Sequence, residues 1–201
     1  MVTQRPAAPN RMAGRLPGYH WSVTDTALLV IDMFNDYRHP DAEPLAANVA
    51  AIIDPLVGLV GEAEHNRGVD LIYVNDNHGD FTADHRAIIS AALDGERPDL
   101  VKPLLPKAGC RIITKVRHSV FYATALEYLL DRLKARRIVL TGQVTEQCIL
   151  YSALDGYLRH YDVVVPPDAV AHIDEELGAA ALTMMERNMS ATLLPAERCL
   201  R

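Results

Sequence analysis

Residues 137–159, RIVLTGQVTEQCILYSALDGYLR, change character at their middle. An apolar run, Ile138-Val139-Leu140, gives way to the turn residues Thr141-Gly142-Gln143-Val144, and the chain then continues with apolar residues at helical spacing. A short β-branched run followed by a longer helical pattern is one half of a βαβ unit. The same alternation extends in both directions. Strands are predicted near 27–32, 69–75, 111–115, 137–141, 161–165 and 190–194, and helices near 44–67, 120–135, 145–159 and 174–188. The strands are almost continuous Val, Ile and Leu, as burial on both faces requires. Repeated βαβ units with right-handed crossovers predict an α/β protein, a three-layer α/β/α Rossmann-like fold around a mainly parallel sheet of about six strands. Residues 76–110 interrupt the alternation with Gly79, Gly95, Pro98, Pro103, Pro106 and Gly109, and are expected to be a lid or pocket wall with at most one short helix near 84–93.

Length and composition narrow the function classes. The chain has 201 residues, of which 49% are hydrophobic and 23% charged, enough for a single core. Residues 1–20 hold Arg5, Arg11 and Arg15 among several prolines and no continuous apolar run, so an extended arm is expected there, followed by one domain over 21–201. No apolar run approaches the roughly 20 residues of a membrane span, and a cytoplasmic location is expected. A net charge of −6 argues against a nucleic-acid partner. Cys110, Cys148 and Cys199 form no CxxC pair, so neither a disulfide framework nor a structural zinc site is indicated.

In parallel α/β sheets, ligands sit beyond the carboxyl ends of the strands. Asp32, Asn75 with Asp76, and Lys115 end three of the predicted strands, and Cys148 falls in the first turn of the helix after a fourth. A thiol there, with Thr145 as N-cap, would feel the positive end of the helix dipole and favour the thiolate; alternatively it is a small buried hydrophobe. A carboxylate or ammonium closing an apolar strand needs a partner, so Asp32 and Lys115 read either as a structural pair or as the acid and cation of a nucleophilic site.

The strand ALLVIDMFNDY, the block KVRHSVFYATALEYLL and the segment GQVTEQCILYSALDGYLRHYDVVVPPDAVA, in that order, resemble the isochorismatase-like cysteine hydrolase superfamily, which includes nicotinamidases and other small amidases. The resemblance covers about residues 24–195. It implies a catalytic Asp32, Lys115 and Cys148, with a cis Gln143–Val144 peptide that turns the backbone N–H groups of Val144 and Cys148 into an oxyanion hole. Members that keep the cysteine generally cleave C–N bonds through a covalent acyl-enzyme, so the expected activity is hydrolysis of a small amide, lactam or carbamoyl compound. Asp32 would take the thiol proton and later activate water. Phe34, Tyr37, Asn75, His118, Phe121 and Tyr122 are expected to line the substrate pocket, although Phe121 and Tyr122 also suit helix packing. No cofactor is expected. The alternative is a metal-dependent nicotinamidase with Zn, Fe or Mn on Asp76, His78 and His85; an isochorismatase-type vinyl-ether hydrolase and a non-catalytic binding protein of the same fold are further ones. A small-molecule substrate and a homo-oligomeric assembly complete the expectation.

Overall fold

Thr26–Ile31 (β1) is buried at every position and lies at the middle of the sheet, and the computed structural model describes the chain from there outward, over residues 25–201. The arm expected at residues 1–20 lies outside the described residues. After β1 come Ala42–His65 (α1), Val69–Asp76 (β2), His85–Leu93 (α2), Pro98–Val101 (α3), Arg111–Lys115 (β3), Leu126–Leu133 (α4), Arg137–Gln143 (β4), Leu150–Leu158 (α5), Asp162–Val165 (β5), Val170–Ala171 (β6), Glu175–Met189 (α6) and Thr192–Leu193 (β7). All strand pairs are parallel, in the order β3-β2-β1-β4-β5-β7, with β6 against the end of β4.

The period of two along the strands splits the core into two layers. Leu28, Val30, Tyr73, Val139 and Val164 face the side covered by α1, α2 and α3, where Leu45, Val49, Leu56, Ile88 and Leu100 pack on them. Ala27, Leu29, Ile31, Ile72, Val74, Ile138 and Leu140 face the other side, covered by α4, α5 and α6 through Leu126, Leu130, Ala153, Ala181 and Met185. This is the three-layer α/β/α arrangement. The chain winds outward from β1 to β2 and β3, then crosses back to place β4 on the opposite flank of β1. Strand order therefore reverses between β1 and β4, and a crevice opens at the carboxyl ends of these strands.

Several expectations change in detail. Among the described residues the sheet has seven strands rather than about six; the added β6, only two residues long, is too short to carry a periodic signal. The helix expected over 120–135 begins only at Leu126: Ala123 has a positive φ of 53°, and the Thr124 side chain satisfies local backbone groups instead. The 145–159 helix opens with a π turn, Thr145–Ile149, in which the Ile149 N–H donates to the Val144 carbonyl at 3.1 Å. Thr145 is not the N-cap: its buried hydroxyl has no hydrogen-bond partner. Within 76–110 the chain adds α3 and a 3₁₀ turn, Lys102–Leu104, whose Leu100, Val101 and Leu104 join the core. By length and composition α1 is apolar enough to cross a membrane, contrary to the sequence reading; its Leu45, Val49, Leu56 and Val60 pack in the core beneath the sheet.

Gly142 fixes how closely β4 approaches β1. It pairs with Ile31, its φ is +105°, and a Cβ built there would lie 2.1 Å from the Ile31 carbonyl oxygen. A methyl group would have to push the two strands apart just before Asp32 and Gln143. Gly142→Ala is expected to lower stability by about 2–4 kcal/mol, seen as a lower urea midpoint with an unchanged m-value.

Candidate active site

Register brings the polar strand ends into one row. Ile31 is aligned with Val74 on one side and Gly142 on the other, and Asp76 is aligned with Lys115. Asp32, Asp76 and Lys115 therefore end three adjacent strands, and the π turn after β4 carries Cys148 to the same edge. Adjacent strands are about 4.8 Å apart, so the long lysine side chain can reach past β2 to β1. Lys115 Nζ lies 2.8 Å from Asp32 Oδ2, 3.1 Å from Asp76 Oδ2 and 3.5 Å from Cys148 Sγ. The ammonium is fully buried.

Asp32 is held from several directions. Its backbone adopts a positive φ of 55°, its N–H donates to the Val74 carbonyl at 2.9 Å, and its carbonyl accepts from the Gln143 side-chain amide. Its Oδ1 accepts the Asp76 N–H at 2.8 Å, and the carboxylate is also in hydrogen-bonding reach of the Cys148 thiol. The Gln143–Val144 peptide is cis. Asp32, Lys115, Val144 and Cys148 line one cavity of about 280 Å³, which Asp76 and His78 also border.

Burial dominates the electrostatics. It raises the proton affinity of Asp32, opposed by the Lys115 charge. Burial, then the Asp32 charge, push the Cys148 thiol well above the ordinary range, and Lys115 only partly offsets them. That is opposite to the expected depression by the helix terminus. Lys115 is the converse case: burial pulls it down, yet the negative charges around it, Asp32 foremost, leave it higher than an ordinary lysine. The thiol therefore lies beside the Asp32–Lys115 pair. A proton passing from sulfur to Asp32 would leave the total charge unchanged, with Lys115 beside both groups.

The expected pocket residues divide into two groups. His118 reaches the chemistry directly, its Nδ1 3.7 Å from Cys148 Sγ and its ring stacked on Tyr151 at 5.5 Å. Together with Tyr122 and Arg117 it lines a cavity of about 580 Å³ that shares Asp76 and His78 with the thiol cavity. Phe34 lines a third cavity, of about 380 Å³, and stacks on Tyr73. The others have structural partners. Asn75 brackets Phe34, accepting its N–H at 2.9 Å and donating to its carbonyl at 3.1 Å. Tyr37 is buried with its hydroxyl toward Gln143 Oε1 at 3.4 Å, and Phe121 is buried against Tyr161 in the core. Tyr37, Asn75 and Phe121 are not among the residues lining these three cavities.

The alternative metal ligands do not fit a common ion. Among the described residues no group of three or more His, Cys, Asp or Glu side chains is placed to hold one. Asp76 is engaged by Lys115 and by the His78 N–H at 2.8 Å. His85 is the first residue of α2, whose N-terminus is capped by Asp84. The sequence reading missed the ion pair of Asp76 with Lys115 and the contact of His118 with sulfur. The first had a signal, since Asp76 ends the strand between those of Asp32 and Lys115; the second depends on the turn after β3.

A thiol, a carboxylate and a buried ammonium at the switch point of a doubly wound sheet are the architecture of a hydrolase, and comparison with known proteins gives its family. The isochorismatase domain model matches residues 26–198, and the chain belongs to the isochorismatase family of hydrolases. The uncharacterized isochorismatase family protein YaaI of Bacillus subtilis (strain 168) is 33% identical over 177 residues, covering 88% of this chain and 97% of YaaI. Among solved structures, an isochorismatase-like hydrolase from Alkaliphilus metalliredigens superimposes with a TM-score of 0.71 at 24% identity, over 87% of this chain and 96% of that one. The N-carbamoylsarcosine amidase of Thermoplasma acidophilum gives 0.68 at 25% identity, over 89% and 100%.

Removing the ammonium leaves Asp32 and Asp76 facing each other without a countercharge, whereas removing the Asp32 charge leaves Lys115 paired with Asp76. Lys115→Met is expected to cost about 3–5 kcal/mol, and Asp32→Asn clearly less, because burial already works against that carboxylate. Urea denaturation of both variants at neutral pH checks the order; an equal or reversed ranking would show that Lys115 does not hold the two carboxylates together.

Proposed function

We propose that the protein is a cysteine hydrolase that cleaves a C–N bond of a small amide, lactam or carbamoyl compound through a covalent acyl-enzyme. The observation that carries this reading is the position of Lys115 Nζ, 2.8 Å from the Asp32 carboxylate and 3.5 Å from the Cys148 sulfur, in a cavity open to small molecules. A thiol in this setting needs a base within reach and a cation to accept the developing negative charge, and the same three side chains supply both. The N-carbamoylsarcosine amidase of similar fold, whose name states an amide substrate, supports C–N rather than vinyl-ether cleavage.

In acylation, Cys148 Sγ attacks the substrate carbonyl carbon while its proton moves to Asp32. The carbonyl oxygen gains the electron pair of the C=O bond, facing the backbone N–H groups of Val144 and Cys148, with Lys115 alongside. When the pair returns, the C–N bond breaks and Asp32 gives its proton to the departing nitrogen. Asp32 ends the step ionised beside Lys115 and Cys148 carries the acyl group as a thioester, which water then hydrolyses.

An amide panel that includes nicotinamide and N-carbamoyl amino acids, read by ammonia release, tests the reading. Cys148→Ala is expected to lose at least about a thousandfold in turnover on any compound the wild type hydrolyses, and mass spectrometry of quenched wild-type reactions should place an acyl adduct on Cys148. Retention of near wild-type rates by Cys148→Ala would sink the covalent mechanism.

The reaction as derived uses no metal, and the donor geometry of Asp76, His78 and His85 argues in the same direction. Chelation by EDTA followed by desalting is expected to leave amidase activity within about twofold. Activity that disappears on chelation and returns with Zn, Fe or Mn would instead support the metal-dependent nicotinamidase reading.

A further inference from the structure

The Cys148 sulfur is approached from two sides. On the buried side stand Lys115 and Asp32. On the other stands His118, an exposed residue that borders the larger cavity and brings Nδ1 within 3.7 Å of the sulfur. Its ring is steadied by stacking on Tyr151, the first residue after Leu150 in α5. His118 comes three residues after Lys115, so the turn leaving β3 brings both a buried cation and an exposed imidazole to the sulfur.

We infer that His118 is a further catalytic residue, the base that activates water in the second half of the reaction; this rests on the acyl-enzyme reading above. Once Cys148 is acylated, the acyl group occupies the cavity shared by Asp32, Val144 and Cys148. Asp32 then lies behind the thioester, its oxygens engaged by the Asp76 N–H and the Lys115 ammonium. The cavity that His118 borders shares Asp76 and His78 with this one, and water admitted there would meet the imidazole 3.7 Å from the sulfur. Neutral imidazole accepts a proton near neutral pH and is suited to this task.

The step balances without a co-reactant. Water oxygen bonds to the thioester carbonyl carbon, and a water proton passes to the unprotonated His118 Nδ1. The C–S bond breaks, with its electron pair remaining on Cys148 Sγ beside Lys115. Imidazolium then returns its proton across the 3.7 Å contact to the thiolate, restoring the thiol, neutral His118 and ionised Asp32. Asp32 serves the first half-reaction and His118 the second. The sequence reading had given both to Asp32.

p-Nitrophenyl acetate separates the halves, because nitrophenolate is released on acylation and turnover afterwards requires hydrolysis of acetyl-Cys148. Wild type, His118→Phe, which keeps a ring for Tyr151, and His118→Ala are followed by stopped flow, with Cys148→Ala for background. The expected result is a nitrophenolate burst in all three that approaches one per active site. The following steady rate should fall about a hundredfold in both His118 variants, with acetyl-enzyme accumulating by mass spectrometry. Added imidazole should restore part of the steady rate in His118→Ala and not in His118→Phe, where the ring fills the space. A steady rate unchanged in both variants, or a burst and steady rate that fall together without imidazole rescue, would overturn the role. A wild-type enzyme with no burst, or a burst that persists in Cys148→Ala, would overturn the acyl-enzyme reading itself and this inference with it.

Discussion

A lysine ammonium with no exposure to solvent is tenable only where negative charge surrounds it, and this constraint organises the carboxyl edge of the sheet. Lys115 needs Asp32 on β1 and Asp76 on β2, so strands β1, β2 and β3 must end in register. Asp32, in turn, takes a positive φ to leave the strand, which Gln143 supports from the other flank through its carbonyl. Close approach of β4 to β1 requires Gly142, and the π turn that follows delivers the sulfur. Fold and chemistry share the same few contacts.

The electrostatic state of the thiol follows from this. A helix terminus and a neighbouring cation both favour thiolate, but Cys148 is buried and faces an acid, and those effects prevail. In the proposed reaction the nucleophile is therefore generated by proton transfer within the site rather than held as a standing ion. On that proposal the sulfur would stay unreactive until a substrate carbonyl met the oxyanion donors, since only then would new negative charge find stabilisation.

Much of this was legible in the sequence, and the reasons differ by element. Strands β1, β2, β4 and β5 announce themselves because burial on both faces favours near-continuous Val, Ile and Leu, and a charged residue closing an apolar run, as at Asp32 or, on the edge strand β3, Lys115, marks the edge where ligands bind. The two residues of β6 lie below the length at which any pattern exists. The late start of α4 turns on one positive φ at Ala123, which an alanine does not advertise. Asp76 read as an alternative metal ligand and not as an ion-pair partner, because the same carboxylate serves both and only its distance from Lys115 decides. Asn75, Tyr37 and Phe121 stand at strand ends as pocket residues do, yet their side chains turn inward to backbone, Gln143 and Tyr161. Direction of a side chain after a strand end depends on the turn, and no spacing rule encodes it.

The segment from Asn77 to Asp84 is secured by its own short-range bonds. Asn77 accepts the Gly79 N–H, Asp80 accepts both the N–H and hydroxyl of Thr82, and Asp84 accepts the first N–H groups of α2. Phe81 at its tip points into solvent. Yet this one segment, through Asn77 and His78, contributes to the walls of all three cavities, the one lined by Cys148 among them. The segment joins the carboxyl edge of the sheet at one seam, where the Asn77 N–H donates to the Lys115 carbonyl at 3.0 Å and the His78 N–H to Asp76 at 2.8 Å. Beyond that seam, residues 79–84 touch neither Asp32, Lys115 nor Cys148 through any of these bonds, so changes there would reshape the cavity walls and leave the strand ends in place.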